Sequence, residues 1–337
     1  MSPTLPITAV SASKAMREEQ EKKGNNRMTP RGAIVALSYM AFAVLLVMFN
    51  KAALSSYEFP CANVITVMQM ILSTVVLYVL RKLNLIKFSD DSADGKTAVK
   101  HFVPVRLLRQ ISPLSIAYLF YMVAGMASIR GVNVPMYTTL RRTTVFFTII
   151  MEFLLVGQKH SNPIIASVAI IVLGAFVAGS RDLSFELEGY STVLLSNITT
   201  AIYLATIARL GKTTGLNSFG LMWCNGLICG PILILWTLLS GELNMAINFE
   251  SLHVLGFQVV TALSCIIAFC LNYTIFLNTT LNSALTQTMC GNLKDLGTVF
   301  FGWICFGGLP FDWLNVFGQF LGFLGSGMYA YCTLKGK

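Results

Sequence analysis

Two related segments decide the architecture of this chain: RRTTVFF at residues 141–147 and KDLGTVFF at residues 294–301. They share the run Thr-Val-Phe-Phe at a separation of 154 residues, from Thr144 to Thr298. Both segments lie within long apolar stretches, and both begin with charged residues that a lipid environment disfavours. We interpret the pair as an internal repeat of a membrane protein. Its charged residues are expected to have a structural or functional role.

The composition favours a bilayer rather than water as the solvent. Of the 337 residues, 55% are hydrophobic and 12% are charged, whereas soluble domains have roughly 45–50% and 25%. Mean hydropathy is +0.68, and uncharged runs of about 20 residues recur along the chain. The composition excludes an ordinary soluble domain and predicts an all-α polytopic membrane protein.

Apolar runs between charged, Gly or Pro residues predict ten transmembrane helices. Their approximate ranges are 32–54, 60–80, 112–130, 135–157, 163–180, 190–209, 218–239, 254–277, 283–306 and 313–333. Corresponding helices of the two halves begin at positions whose separation in residues is similar to the 154 residues between the repeated segments. We therefore expect two five-helix repeats, and because five is odd, the repeats insert with opposite orientation. Inverted repeats of this kind are typical of transporters.

These spans divide the chain into regions. Residues 1–31 form a cytosolic tail whose polar, mixed-charge composition predicts disorder. The first repeat covers residues 32–180 and the second covers residues 190–334, with a luminal linker at 181–189. Residues 335–337 are the cytosolic C-terminus. We expect no cleaved signal or transit peptide before the first helix.

The distribution of basic residues predicts the orientation. With both termini in the cytosol, the cytosolic segments hold 18 Lys and Arg residues and the opposite side holds Lys51, Arg130 and Arg181. Basic loops stay cytoplasmic. Topology thus explains the net charge of +9, and no nucleic-acid partner is expected. The eight cysteines form no CxxC pair, so we expect neither disulfide bonds nor a bound metal or other cofactor.

Five charged residues remain inside the predicted spans: Arg141, Arg142, Glu152, Lys294 and Asp295. Each costs at least about 2.5 kcal/mol at a helix centre unless it meets water or a partner, so such residues usually serve function. The repeat alignment places cations of both halves near the midplane, which predicts an anionic substrate. An arginine fork and a lysine point charge together suit a diphosphate. We expect the cations to stay unsatisfied between turnovers, which favours exchange over leak.

The bland alternative is that an arginine pairs with Asp295 or Glu152 as a structural contact between helices. Spacing favours ligand contact for some neighbours: Tyr137 lies four residues before Arg141, and Thr138 four residues before Arg142.

In the ninth span, Gln287, Cys290, Gly291 and Lys294 form a stripe, and Gly291 permits close approach of a ligand. The predicted substrate-binding residues are Lys294, Arg141, Arg142, Tyr137, Thr138, Gly291, Thr286, Asn225, Asn50 and Lys51.

Several of these residues have an equally ordinary interpretation. Asn50 and Lys51 either belong to the site or form a helix end that reaches the interface. Asn225 bonds either a ligand or a neighbouring helix. Other polar groups that could hold a base or a sugar are Tyr203, Asn272 and Tyr273. In the tenth span, the spacing Gly318-x3-Gly322 permits close packing within the chain or in a homodimer.

Taken together, these residues resemble the nucleotide-sugar transporters of the drug/metabolite transporter superfamily. The resemblance runs from about residue 32 to residue 333 and rests on NK at 50–51, YEFP at 57–60, MYTTLRR at 136–142, SALT at 283–286 and GNLK at 291–294. The Leu-Arg-Arg and Gly-x-x-Lys segments are most similar to the branch that carries UDP-glucuronic acid and UDP-N-acetylhexosamines, which includes plant UDP-N-acetylglucosamine transporters.

The resemblance implies antiport of a cytosolic UDP-sugar against luminal UMP. UDP-N-acetylglucosamine is the first choice and UDP-N-acetylgalactosamine the second. Lys294 matches the lysine of the Gly-x-x-Lys motif, and Tyr137, Arg141 and Arg142 match the tyrosine and basic pair of the fourth helix. GDP-mannose transporters carry Phe-Tyr-Asn-Asn where this chain has WCNG at 223–226, so a GDP-sugar is disfavoured.

The alternatives are transport of UDP-glucuronic acid or UDP-glucose, or exchange of another phosphorylated metabolite such as a sugar phosphate for phosphate. An enzyme is disfavoured because the three histidines are scattered and no DxD motif occurs. The Golgi membrane is favoured over the endoplasmic reticulum, since the C-terminal residues 334–337, LKGK, form an incomplete dilysine signal.

Overall fold

Every regular element that the structure describes is a helix. The computed structural model of the chain describes residues 28–88, 105–130, 134–180, 187–306 and 313–336. The helices are α1 (Pro30–Lys51, continued by a π-helical turn at Ala52–Ser56), α2 (Ala62–Lys82), α3 (Val105–Arg130), α4 (Val134–Arg141), α5 (Thr144–Val156), α6 (Asn162–Gly179), α7 (Leu187–Thr213), α8 (Ser218–Leu239), α9 (Glu242–Ile247), α10 (Leu255–Leu281), α11 (Ala284–Phe306) and α12 (Trp313–Lys335). The predicted all-α class is confirmed.

Within these described ranges, seven helices are long and apolar enough to cross a membrane: α1, α2, α3, α6, α7, α8 and α10. The chain is therefore a multi-pass membrane protein, as predicted. Most of the predicted tail at 1–31 and of the predicted linker at 181–189 lies outside the described residues. The side chains of residues 296–306, which include the second Thr-Val-Phe-Phe run, also lie outside them.

Local sequence explains where several helices begin and end. Thr29 precedes α1, and its hydroxyl accepts a hydrogen bond from the backbone N–H of Gly32 at 3.0 Å, a typical N-cap. Asn217 caps α8 in the same way through Gly220. Helix α5 ends at Gly157, whose φ of 72° is the left-handed conformation that glycine adopts most easily.

The fourth predicted span is broken in its middle, so the expectation of one continuous helix was wrong. Helix α4 ends at Arg141 and α5 begins at Thr144. Between them the chain tightens into a three-residue turn, in which Thr143 donates its N–H to the carbonyl of Leu140 at 3.0 Å. The side-chain amide of Asn197 on α7 donates to the same carbonyl at 2.9 Å. Side chains thus replace the helical hydrogen bonds that the break removes.

Glycines allow the closest helix pair in the fold. Helices α6 and α12 share the most extensive contact, and a Cβ on Gly174 would lie 2.7 Å from the carbonyl oxygen of Gly318. A Cβ on Gly318 would in turn lie 2.6 Å from Cβ of Ala178. The Gly318-x3-Gly322 stripe is therefore used for packing within the chain. Other extensive contacts join α3 to α7, α1 to α10 and α5 to α7.

Candidate functional site

A cavity of about 370 Å³ lies between helices of both halves of the chain. Its lining comes from α1, α3, α4, α5, α7, α10 and α11. The volume falls in the range of roughly 300–1,000 Å³ that small-molecule sites occupy. The lining combines two cations, one carboxylate, several tyrosines and a number of amide and hydroxyl side chains.

Arg141 reaches this cavity from the end of α4. Its Nη1 donates a hydrogen bond to the hydroxyl of Tyr137, one helical turn earlier, and its guanidinium lies 5.7 Å from the centroid of that ring. Both residues line the cavity. The break after Arg141 ends the helix at this point, so the guanidinium sits at a helix terminus rather than within a regular helical surface. A planar cation in a partly enclosed cavity can bind phosphate oxygens in bidentate fashion.

Arg142 takes a different direction. It is 1% exposed, it does not line the cavity, and its Nη2 donates to the side-chain oxygen of Gln319 on α12. Its Nε and Nη1 have no hydrogen-bond partner among the residues that the structure describes. The predicted partner Thr138 also lies outside the cavity lining. The structure thus separates the two arginines, with Arg141 in the cavity and Arg142 packed against α12.

Lys294 and Asp295 line the cavity from α11. Nζ of Lys294 lies 3.0 Å from Oδ1 of Asp295, and the two side chains are 19% and 26% exposed. The expectation that the cations stay unsatisfied was therefore wrong for Lys294, because the adjacent carboxylate pairs with it. Asp295 and Arg141 line the same cavity, so the acid lies in one space with both of these cations.

An aromatic surface forms the other side of the cavity. We call Tyr118, Tyr121 and Tyr203 the tyrosine wall. The rings of Tyr121 and Tyr203 stack with centroids 5.4 Å apart and planes 8° apart, and Tyr118 lies 5.4 Å from Tyr203. Tyr39 of α1 adds a fourth tyrosine to the lining. Rings of this kind offer both a stacking face for a base and hydroxyl groups for a sugar.

Sequence reasoning found only part of this wall. Tyr203 was considered, whereas Tyr39, Tyr118 and Tyr121 were missed. The available signal was the three-residue spacing of Tyr118 and Tyr121, which places both rings on one face of α3. Tyr273, which was considered, stacks on Phe219 at 4.3 Å and does not line the cavity.

Amides and small residues complete the lining. Gln287 and Gly291 of the predicted α11 stripe line the cavity, together with Asn272 of α10. A Cβ on Gly291 would lie 3.5 Å from the hydroxyl of Tyr39, so the glycine leaves room for one further group between α11 and α1.

Besides Arg142 and Thr138, four further predicted residues lie outside the cavity lining. Lys51 is exposed in the last turn of α1. Asn50 accepts hydrogen bonds from the side chains of Gln69 at 3.0 Å and Ser264 at 2.6 Å. This buried network joins α1 to α2 and α10, which is the structural interpretation of Asn50.

The other two residues also have protein partners. Asn225 accepts a hydrogen bond from Ser115 at 3.1 Å and lines a smaller pocket of about 20 Å³ next to the tyrosine wall. The hydroxyl of Thr286 lies 2.8 Å from that of Tyr329 on α12. Helix contacts therefore account for the positions of Asn50, Asn225 and Thr286.

Glu152 has a position that the sequence did not reveal. Its side chain is fully buried, and it accepts hydrogen bonds from the backbone N–H groups of Ala284 and Leu285 at the start of α11. Nε2 of His160 lies 3.1 Å from Oε2 of the Glu152 carboxylate. A carboxylate at a helix N-terminus meets both unpaired N–H groups and the positive end of the helix dipole.

Sequence comparison identifies the family of this chain. Residues 31–330 match the Triose-phosphate Transporter family. The chain belongs to this family. Members of the triose-phosphate transporter family belong to the drug/metabolite transporter superfamily, as the sequence motifs predicted.

Two relatives and one solved structure extend the comparison. The chain is 62% identical over 310 residues to the UDP-N-acetylglucosamine transporter UGNT1 of Arabidopsis thaliana, covering 92% of this chain and 90% of that protein. It is 32% identical over 302 residues to the UDP-sugar transporter UST74c of Drosophila melanogaster, covering 90% and 78%. A solved crystal structure matches with a TM-score of 0.60 at 11% identity, covering 90% of this chain and 98% of that one, which shows a shared fold. The triose-phosphate transporter family and both relatives are transporters, so the chain is not an enzyme, as predicted.

Proposed function

We propose that this protein is an antiporter that moves a UDP-sugar from the cytosol into the lumen in exchange for UMP. UDP-N-acetylglucosamine is the proposed sugar nucleotide, with UDP-N-acetylgalactosamine next. The observation that carries the proposal is the cavity itself, in which Arg141 and Lys294 face the same space as the tyrosine wall. Phosphate needs the cations, and a pyrimidine base or a sugar ring fits the aromatic and hydroxyl surface.

In this proposal the diphosphate lies between Arg141 and Lys294, and Tyr137 orients Arg141. Gly291 leaves the space that a ligand needs beside α11. The names of the two relatives support a UDP-sugar as the transported molecule, since one is a UDP-N-acetylglucosamine transporter and the other a UDP-sugar transporter. Arg142, Thr138, Thr286, Asn225, Asn50 and Lys51 are assigned to helix packing or helix ends rather than to ligand contact.

The proposed mechanism uses ten spans in two inverted repeats, residues 32–180 and 190–334. Helix packing supports this arrangement. Exchanging the first five spans for the last five converts the contact between α3 and α7 into the contact between α10 and α1, and both are among the most extensive in the fold. The same exchange pairs α2 with α8 and α6 with α12, which also pack on each other. Two halves related in this way can rock about a central site to give alternating access.

Both termini lie in the cytosol in this proposal, and the membrane is that of the Golgi apparatus or, as the second choice, the endoplasmic reticulum. The proposal needs no homodimer, because the glycine stripe that suggested one is buried against α6. The described residues of a single chain line the cavity.

Reconstitution tests the proposal. Purified protein is placed in liposomes preloaded with UMP, and uptake of labelled UDP-, GDP- and CMP-sugars is measured against empty liposomes. We expect uptake of UDP-N-acetylglucosamine that depends on internal UMP. Absence of UMP-dependent uptake for every nucleotide sugar would contradict the proposal.

Membership in the triose-phosphate transporter family favours a second candidate, an exchanger of phosphate esters for inorganic phosphate. The same liposomes, preloaded with phosphate and supplied with labelled triose phosphate, distinguish the two. The tyrosine wall favours the nucleotide, because a triose phosphate has no ring to stack on it.

A further inference from the structure

Asp295 is the acidic residue among the described residues that line the cavity, and its lining cations are Arg141 and Lys294. Formal charges therefore leave the cavity with an excess of one positive charge. A diphosphate already carries more negative charge than this excess. A further negative group on the ligand would meet no additional cation among the described residues that line the cavity.

The carboxylate of Asp295 is placed to act on a ligand. Its side chain is 26% exposed and its Oδ1 lies 3.0 Å from Nζ of Lys294. Arg141 and Tyr39 line the same cavity from two other helices. Any group that binds near these cations therefore lies within the field of a fixed negative charge.

The chemistry of sugar nucleotides makes this field selective. In a UDP-sugar, C1 of the sugar ring is bonded directly to the diphosphate. The C6 substituent therefore lies only about the width of one sugar ring from the phosphates. A uronic acid carries a carboxylate at C6, whereas a hexose or an N-acetylhexosamine carries a neutral hydroxyl. Like charges a few ångströms apart in a partly desolvated site repel strongly.

We propose that Asp295 is a specificity-determining residue that excludes UDP-sugars bearing a carboxylate and restricts the cavity to neutral UDP-sugars. The inference rests on the proposed transport of UDP-sugars and narrows it. UDP-N-acetylglucosamine, UDP-N-acetylgalactosamine and UDP-glucose belong to the accepted class. UDP-glucuronic acid does not.

The test uses UDP-glucose and UDP-glucuronate, which differ only at C6. Each competes with uptake of labelled UDP-N-acetylglucosamine into UMP-loaded liposomes. We expect UDP-glucuronate to inhibit at least about tenfold more weakly than UDP-glucose in the unmodified protein. Asp295→Asn should shrink this gap, because the fixed negative charge that repels the uronate carboxylate is then absent. Asp295→Glu keeps the charge and should keep the gap.

Equal inhibition by the two nucleotides in the unmodified protein would overturn the inference, and so would an unchanged gap in Asp295→Asn. If that variant does not fold, the comparison of the two nucleotides in the unmodified protein still decides, since equal inhibition by both overturns the inference. Thermal stabilisation of the purified protein by each nucleotide gives the same ranking without transport. A failure of UDP-N-acetylglucosamine uptake itself would instead contradict the proposed function.

Discussion

The carboxylate of Glu152 accepts a hydrogen bond from the backbone N–H of Ala284 at 3.0 Å. Leu285 donates to the same carboxylate at 3.3 Å, so one buried side chain satisfies two unpaired donors at the start of α11. Glu152 belongs to α5 in the first half of the chain, and α11 belongs to the second. Because α11 carries Lys294 and Asp295, this contact fixes the helix that presents charge to the cavity.

Removing this contact should destabilise the protein. We expect Glu152→Ala to lower the free energy of unfolding by about 1–3 kcal/mol, because two buried N–H groups and a helix dipole lose their acceptor. Glu152→Gln keeps an acceptor oxygen but not the charge, so its loss should be smaller. The measurement is the thermal midpoint in detergent, with the exposed Glu250→Ala as the matched control. An unchanged midpoint in Glu152→Ala would show that the cap is not needed.

Loss of the α11 cation should remove transport. We expect Lys294→Ala to abolish UMP-dependent uptake while the protein folds and reaches its membrane, because the phosphates lose one of the cavity's two cations. Lys159→Ala, an exposed lysine after α5, is the matched control and should transport normally. Retained uptake in Lys294→Ala would rule out its phosphate role.

The two adjacent arginines should behave differently. Arg141→Met should raise KM for UDP-sugar and UMP about ten- to hundredfold, the value of a charge-assisted hydrogen bond of roughly 1.5–3 kcal/mol. Arg142→Met should change the thermal midpoint rather than KM, because its guanidinium is buried against Gln319 and two of its nitrogens have no partner among the described residues. The KM values and thermal midpoints of both variants check this. Equal rises in KM would contradict the placement of Arg142 outside the cavity.

The tyrosine wall should contribute to nucleotide affinity. We expect Tyr121→Leu to weaken the binding of both UDP-sugar and UMP by about 1–3 kcal/mol, the free energy of stacking one base on an aromatic ring. The affinity for UMP is measured by competition between labelled and unlabelled UMP for the purified protein, which requires no transport of a sugar. Tyr273→Leu is the control, since Tyr273 stacks on Phe219 outside the cavity lining. If Tyr273→Leu weakens the binding of UMP as much as Tyr121→Leu does, the tyrosine wall does not bind the nucleotide.

Two glycines should separate packing from ligand space. Gly318→Ala places a Cβ against the backbone of α6 and should cost roughly 1–3 kcal/mol of stability. In Gly291→Ala the new Cβ makes only an ordinary contact with Tyr39, so folding should persist while the KM for UDP-sugar rises. Thermal midpoints and uptake kinetics of the two variants test this. A lowered midpoint in Gly291→Ala with unchanged KM would show that Gly291 serves packing.

Apolar runs between charged, Gly or Pro residues predicted much of the fold. Helices occur in all ten segments where apolar runs were identified, because the bilayer requires such runs and backbone hydrogen bonding requires helices within them. The break after Arg141 was missed because its cause is remote in sequence. The side-chain amide of Asn197 on α7 donates to the carbonyl of Leu140 at the break, and no local pattern indicates that partner.

The site was predicted where the chemistry was unusual for its surroundings. Arg141 and Lys294 were identified because charge inside an apolar span is costly. Adjacent residues such as Arg142 could not be distinguished in this way, since the direction of a side chain depends on the break between α4 and α5. Tyr39 carried no signal until the fold brought it to the cavity, and the spacing of Tyr118 and Tyr121 indicated only a shared face of one helix.

The most direct test of the central claim is release of labelled UMP from liposomes that contain the purified protein. Addition of external UDP-N-acetylglucosamine should release UMP in amounts equal to the sugar nucleotide taken up, and Lys294→Ala should release none. UMP release that is independent of external nucleotide, or sugar-nucleotide uptake without UMP release, would contradict exchange through this cavity.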